Sequence, residues 1–325
     1  AGGSVPDKAA PPPVRMMVTS RRGSYQQVKR ADGTREEAAN LEGDIRALRY
    51  GYPKGSSDPR LRFVETEMLT DNAVWNQVRR VLSGTGPVTI RQIGCEMRGT
   101  DFTYTMATPP DRSGADKPDP AKPEGGKEAP LRRPQGWVEV ERDVTMEFIQ
   151  SAVSRRSEDP PAERRLGVPK DDPNLTIVTC KGMASYDLGC REIQFQDNVR
   201  VEQPRVTMES DRLRVVMEKG DREKGEPPIR EIIAFDSPQA ARGSVRIRGT
   251  SASKAGAAAT AFVAHGAYAR YIHQSGEILL TDAREGQKPW VEIGTDRIAD
   301  ALIRMEMVDG EVTKLRTEGG AGEAA

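Results

Sequence analysis

The sequence predicts an all-β protein whose antiparallel strands stack along one axis, and three observations carry that prediction. A short phrase recurs, built of a turn, a small residue, a β-branched or aliphatic residue, a polar residue and an aliphatic residue. It stands at Gly86-Pro87-Val88-Thr89-Ile90, Asp197-Asn198-Val199-Arg200-Val201 and Gly243-Ser244-Val245-Arg246-Ile247, with Leu41-Glu42-Gly43-Asp44-Ile45 as a partial fourth copy. Apolar and polar residues alternate with period two around these phrases, the pattern of a strand with one buried and one solvated face. Gly 31 and Pro 23 supply many turns, while 36% hydrophobic and 5% aromatic residues make a lean chain for an enzyme of 325 residues. A strand-turn-strand unit that recurs builds by stacking, and a stack carries its function on a surface or in a groove.

In chain order, residues 1–14 are small and Pro-rich and read as a disordered lead, and 15–106 form a first β region. Residues 107–136 combine prolines with Gly, Lys, Asp and Glu, too little apolar surface to order. A second β region runs over 137–317, interrupted by a charged Pro-containing loop at 154–174, with another charged stretch at Lys219–Pro228 and a soft tail at 318–325. Alternation is plainest at Phe102-Thr103-Tyr104, Trp137-Val138-Glu139-Val140, Ile193-Gln194-Phe195, Val206-Thr207-Met208, Leu213-Arg214-Val215 and Val291-Glu292-Ile293. Two segments are spaced like a helix face instead. They are Leu41, Ile45 and Leu48, where Gly43 argues against a helix, and Ile298, Ala301, Leu302 and Met305, where a terminal helix is an alternative.

Aligned, the pieces form a unit of roughly 40–50 residues, a repeat-array period. Each copy opens on a small-x-aromatic triplet (Ala73-Val74-Trp75, Ala184-Ser185-Tyr186, Ala269-Arg270-Tyr271). Each closes on Asp before a strand (Thr100-Asp101-Phe102, Ser210-Asp211-Arg212-Leu213, Thr295-Asp296-Arg297-Ile298).

Charge and composition exclude several classes. Lys+Arg 49 against Asp+Glu 49 leaves no bulk field for nucleic acid. No stretch approaches the roughly 20 apolar residues that cross a bilayer as a helix. The chain starts Ala1-Gly2-Gly3-Ser4 without Met, most simply explained by a removed signal or anchor, with an arbitrary boundary as the alternative. Cys95, Cys180 and Cys190 are too few and too irregular for a zinc site. Cys180 and Cys190 either face each other across neighbouring strands or, with Cys95, are three unrelated thiols.

The phrases Asp197–Val201 and Glu209-Ser210-Asp211-Arg212-Leu213-Arg214-Val215 resemble the OstA-type repeat of the lipopolysaccharide-transport bridge proteins, the LptA and LptC group. In that repeat a G-N-V turn and an A-D-x-L turn separate the strands. Tyr271–Ile298 and Gly99–Tyr104 are similar, so the resemblance covers 60–105 and 175–310, in a chain with longer inserts and more repeats than a single-domain member. The resemblance implies a twisted, open β-jellyroll that stacks edge to edge with other Lpt-type jellyrolls. It also implies an apolar interior that holds the acyl chains of lipopolysaccharide or a related lipid, without cofactor or catalysis, in the periplasm, with an inner-membrane anchor through a removed N-terminal segment as one form.

Alternation assigns the interior candidates: Val88, Ile90, Phe102, Tyr104, Ile193, Phe195, Val199, Val201, Met208, Leu213, Val215, Val245, Ile247, Ile278, Leu280, Val291 and Ile293. Each acyl CH₂ withdrawn from water contributes about 0.8 kcal/mol, so such a trough binds chains without directional contacts. The competing reading of the same residues is a closed core.

Other chemistry has little support. His265 and His273 share a strand face if one strand spans both, but no acidic or cysteine cluster completes a metal set. Asp101, Asp211 and Asp296 recur at turns, where an Asp accepts from backbone amides. Gly84-Thr85-Gly86 lacks the Lys and helix of a phosphate loop. Arg200, Arg205, Arg212, Arg214, Arg242, Arg246 and Arg248 are interspersed with acids and read as a solvated mixed-charge face rather than a headgroup site. The runner-up function is a structural β-repeat scaffold of the cell envelope. A carbohydrate-active β-solenoid enzyme would need a carboxylate pair that these motifs do not supply.

Overall fold

A computed structural model describes residues 16–29, 35–51, 63–92, 94–106, 136–149, 166–168, 175–187, 192–217, 229–236, 245–251, 259–281, 288–308 and 311–318. The expected disordered lead and the Lys219–Pro228 stretch lie outside the described residues. So do the 107–136 insert up to Gly136, the 154–174 loop except 166–168, and the tail beyond Glu318. Among the described residues all 20 elements are strands. In order they are β1 (Met16–Thr19), β2 (Arg22–Lys29), β3 (Arg35–Gly51), β4 (Phe63–Asn76), β5 (Val81–Gln92), β6 (Cys95–Met106) and β7 (Gly136–Ile149). β8 (Leu175–Cys180), β9 (Ala184–Asp187), β10 (Glu192–Glu202), β11 (Val206–Met217), β12 (Ile229–Phe235), β13 (Val245–Ser251) and β14 (Thr260–Gly266) follow. The chain closes with β15 (Tyr268–Ile272), β16 (Glu277–Thr281), β17 (Trp290–Ile293), β18 (Asp296–Ala299), β19 (Leu302–Val308) and β20 (Glu311–Glu318).

The pairings resolve into two layers that share their longest strands, a β-jellyroll-like arrangement. One layer runs β1, the C-terminal part of β3, then halves of β4 to β7, then β8, β10, β11, β13, β14, β17 and β18. The second runs β2, the other halves of β3 to β7, then β9, β10, β11, β12, β15, β16, β19 and β20. β7 shows the division plainly: Val144–Ile149 pair with β8, whereas Trp137–Val140 pair with β9. All pairings are antiparallel except two residues of β13 beside β20. The sheet continues across β6 and β7, so the two sequence regions share one ladder.

The recurring phrase proves to be the corner where a strand crosses from one layer to the other. Register shifts interrupt β3 between Glu42 and Ile45, β5 between Gly84 and Pro87, and β10 between Gln196 and Val199. Positive φ occurs there at Gly43, Asp44, Gly86, Asp197 and Asn198. The ladder resumes beyond each shift, so the unit is one bulged strand rather than two strands and a turn. The first residue past each corner points inward: Ile45, Val88 and Val199 are buried, as is Val245 at the start of β13. The Asp-containing phrase marks the return crossing in β6 and β11 (Asp101-Phe102, Asp211-Arg212-Leu213). In the third copy it differs, because Asp296 simply opens β18 after the Gly294-Thr295 turn.

Neither helix-like segment is helical. Leu41, Ile45 and Leu48 lie in β3, where the two-residue bulge at Gly43-Asp44 turns a strand period of two into an apparent spacing of four. Ile298 ends β18 and Leu302 and Met305 belong to β19, with Asp300-Ala301 making the bend between layers. Ile303 and Met305 then alternate inward, which is a strand pattern.

Corners are fastened by polar groups. The Gly86 amide donates to Asp101 Oδ1 at 2.8 Å, and Arg142 of β7 bonds the other carboxylate oxygen. The Gly86 hydrogen bond, then Arg142, hold Asp101 below the usual carboxylate range against the upward push of burial. On the outer face of the second layer, burial pushes the Glu231 carboxyl up, but hydrogen bonds from Arg230 and Arg270 outweigh it and the net shift is downward. Glu277 is lowered by Arg304, in spite of burial, and by Ser275. A carboxylate whose folded value is depressed stabilises above its unfolded value and loses that contribution as pH falls through the folded one. The melting temperature should therefore fall as pH drops from about 5 to about 2, and Glu231→Gln should flatten that slope in thermal melts followed by circular dichroism. An unchanged slope would remove Glu231 from the acid response.

Candidate functional site

Between the layers runs a single apolar interior. At about 4.8 Å per strand it extends roughly 50 Å from Met16 of β1 to Val291 and Ile293 of β17. Every candidate named from alternation faces it. Val88, Ile90, Phe102, Tyr104, Ile193, Phe195, Val199, Val201, Leu213, Val215, Val245, Ile247, Ile278, Leu280 and Val291 are all buried in one cluster. Met208 and Ile293 are partly buried and pack against it. Alternation missed other members, including Met68, Met97, Val144, Met146, Phe148, Val178, Phe262 and Ile303. Val144–Met146–Phe148 and Phe262–Ala264 alternate as clearly as the chosen residues and were legible by the same rule.

The interior is closely packed with side chains. Phe102, Phe195 and Phe262 are the largest fully buried side chains in it. Glycines permit this closeness, Gly99 at a corner and Gly249 toward the seam. A Cβ on Gly99 would lie 2.4 Å from Val140 Cγ1, and one on Gly249 would lie 2.7 Å from the Phe262 ring.

Corners close one long side of the interior, and the opposite side is a seam where no strand is shared. At the C-terminal end the seam is stitched by Thr250 and Ser251 of β13 beside Glu311 and Val312 of β20, with Arg205 and Glu311 paired at 2.8 Å. Gly167 crosses beside the β5–β6 hairpin, donating to Gln92 O at 2.8 Å and accepting from the Gly94 amide at 3.2 Å. Along the seam the second layer presents Tyr104, Met106, Tyr186, Met217, Tyr271 and Met307, side chains that are polarizable or carry one polar tip.

At both ends of the stack, strand edges lack a partner among the described residues. β1 and β2 pair only with β3, and β18 pairs only with β17. Met17, Val18 and Tyr25 are exposed on β1 and β2. Such edges are templates for another strand.

The remaining sequence candidates are placed as follows. His265 and His273 do not share a strand: His265 is in β14, and His273 opens the turn after β15. His265 Nε2 accepts from Arg246 Nε at 2.8 Å and its ring stacks on Trp290 at 4.5 Å, while Arg297 covers Trp290 at 4.3 Å. No group of three or more His, Cys, Asp or Glu positioned for a metal occurs among the described residues. The arginine faces are mixed with acids: Arg200 pairs with Glu202, Arg214 with Glu192 and Arg248 with Glu209. Burial pushes the Cys180 thiol up to about 11, which keeps it protonated and unreactive at neutral pH. Cys190, its suggested partner, and Arg242 lie outside the described residues.

No known family profile and no curated protein matches the chain. Among solved structures it is similar to LptH of Pseudomonas aeruginosa, described as the LptA-homologous periplasmic component of the conserved lipopolysaccharide transport device. The likeness covers 44% of this chain and 80% of that one, at 13% identity and a TM-score of 0.32. A likeness of that size carries no inference about function.

Proposed function

We propose that this protein is a non-enzymatic lipid-binding bridge of the periplasm that takes part in lipopolysaccharide transport between inner and outer membrane. Its interior would hold acyl chains, and its strand edges would join other jellyrolls of the same kind. An N-terminal anchor in the inner membrane belongs to the same reading. The observation that carries it is the apolar interior, one continuous cluster from β1 to β17 in a stack that ends at unpaired edges. The OstA-like wording at the corners supports it. Apolar burial supplies affinity for chains of any headgroup, because the gain scales with area rather than with directional contacts.

The dense packing of that interior favours a second reading, a cell-envelope scaffold with no lipid cargo. One experiment separates the two. A photo-crosslinking residue placed at Phe195 or Val201 should capture lipid in Gram-negative envelopes, while one at the outward Arg200 or Arg214 should not. Equal capture from both faces, or none from either, would favour the scaffold.

A further inference from the structure

The inward face of the first layer changes character at the seam. Alternation carries Ile45 and Ala47 of β3, Met68 of β4, and Val88 and Ile90 of β5 into the core. The next inward positions are Arg49, Thr66 and Gln92. Ile45 to Arg49 pair with Thr70 to Thr66 without a register shift, so the Arg49 side chain leaves on the core face. It is only 15% exposed. Gln92 Nε2 donates to Thr66 Oγ1 at 3.3 Å, which completes a polar lip beside the guanidinium.

Two groups converge on Arg49. The ladder shifts between Arg49 and Tyr50, which makes Glu65 the extra residue of a bulge, and its Oε2 lies 3.3 Å from Arg49 Nε. From the opposite layer, the Tyr104 phenol lies close enough to the same guanidinium for Arg49 to counter part of the upward push of burial on it. Yet Arg49 Nε and Glu65 Oε2 are both sealed from solvent and neither makes a hydrogen bond. A pair built only as a clasp would be expected to use the parallel two-point geometry that arginine offers a carboxylate. Buried donors left unsatisfied are uncommon in native proteins and call for an explanation.

We propose that Arg49 and Tyr104 form an anion subsite at the seam. It receives the phosphate of a phosphorylated amphiphile whose acyl chains lie in the interior, and Glu65 is the displaceable group that holds Arg49 when the subsite is empty. This inference rests on the lipid-binding reading above. Glu65 is suited to leave: it is 28% exposed and sits on a bulge, where a small backbone change turns its carboxylate to solvent. Arg49 is suited to stay, since its side chain is only 15% exposed and it sits opposite Thr66 in an unshifted part of the ladder. A phosphate satisfies the guanidinium at two points and accepts from the phenol as well.

The test compares 1-oleoyl lysophosphatidic acid with monooleoylglycerol, which has the same chain and no phosphate, on the full chain. Inorganic phosphate is the third probe. The phosphorylated lipid should bind about tenfold more tightly, the equivalent of one charge-assisted hydrogen-bonded contact. Arg49→Gln should abolish that preference and leave monooleoylglycerol binding unchanged, and Tyr104→Phe should remove part of it. Glu65→Gln should tighten lysophosphatidic acid alone by several-fold, a gain that a misfolded variant cannot mimic. Equal weakening of both lipids by Arg49→Gln would make the trio a structural clasp and overturn the subsite. So would equal affinity of the two lipids for the unmodified protein. Inorganic phosphate binding as tightly as the lipid would overturn the headgroup assignment. Failure of both lipids to bind would instead overturn the lipid-binding reading on which the subsite depends.

Discussion

Phe195→Ala is expected to cost about 3–5 kcal/mol of stability, the range for deleting a buried ring from a packed core. Phe195 is 1% exposed, with Leu213 and Ala184 directly opposite it on the two neighbouring strands and Ile193 two residues away on the same face. Ala184 is too small to fill the gap, and the strands on either side are pinned by their ladders, so little collapse is available. Urea unfolding should show a lower midpoint with an unchanged slope. Arg200→Ala, on the outer face of the same strand, should change stability by roughly 0–1 kcal/mol, as solvated ion pairs do. A loss below about 1 kcal/mol at Phe195 would mean that the interior is loosely packed around this ring. If acyl chains enter the interior, a long-chain lipid should recover more of the lost melting temperature in Phe195→Ala than it adds to the unmodified protein, because the vacated volume offers new contacts.

Gly84→Ala should also be severely destabilising, roughly 1–3 kcal/mol or more, through overpacking. Its Cβ would lie 2.2 Å from the Asn72 carbonyl oxygen and 2.4 Å from Phe102 Cε1. The first is backbone of β4 and the second belongs to a ring that is 1% exposed, so neither neighbour yields cheaply. Relief requires β4 and β5 to part at the corner that both strands share. Gly86→Ala is the informative control. Nothing lies within 4 Å of that position, but its φ of 98° is one that L side chains rarely adopt, so its cost of about 1–2 kcal/mol is conformational. Thermal melts of the two variants should rank Gly84→Ala as the worse. The reverse order would show that the corner is limited by backbone conformation and not by close packing.

Much of this structure was legible in the sequence. Val199, Val201, Leu213 and Val215 could be assigned to the interior from period-two alternation alone, and they are buried. The corners were visible as text, yet they were read as turns between separate strands. Gly86 and Asp197-Asn198 look like hairpin residues because positive φ is needed in either case. Only the pairing partners on both sides tell a bulge from a hairpin. The same ambiguity made Leu41, Ile45 and Leu48 look helical. The interior polar group was missed for another reason. Arg49 continues the Ile45-x-Ala47-x series, but an inward arginine reads as the end of a strand unless the residues that meet it are known.

The sequence by itself determined that the chain is β, where its strands run and which face of each strand is apolar. These follow from a period of two residues and from local turn chemistry, so a short window contains them. The tertiary structure decided which layer each half-strand joins, how far the seam is closed, and that Arg49, Glu65 and Tyr104 meet across the interior. Those outcomes depend on hydrogen bonds between strands far apart in the chain, such as Ser251 beside Val312, and on how the bulges set the angle between the layers. Periodicity carries no information about partners at such distances, and for that reason the path of the interior became visible only in the folded molecule.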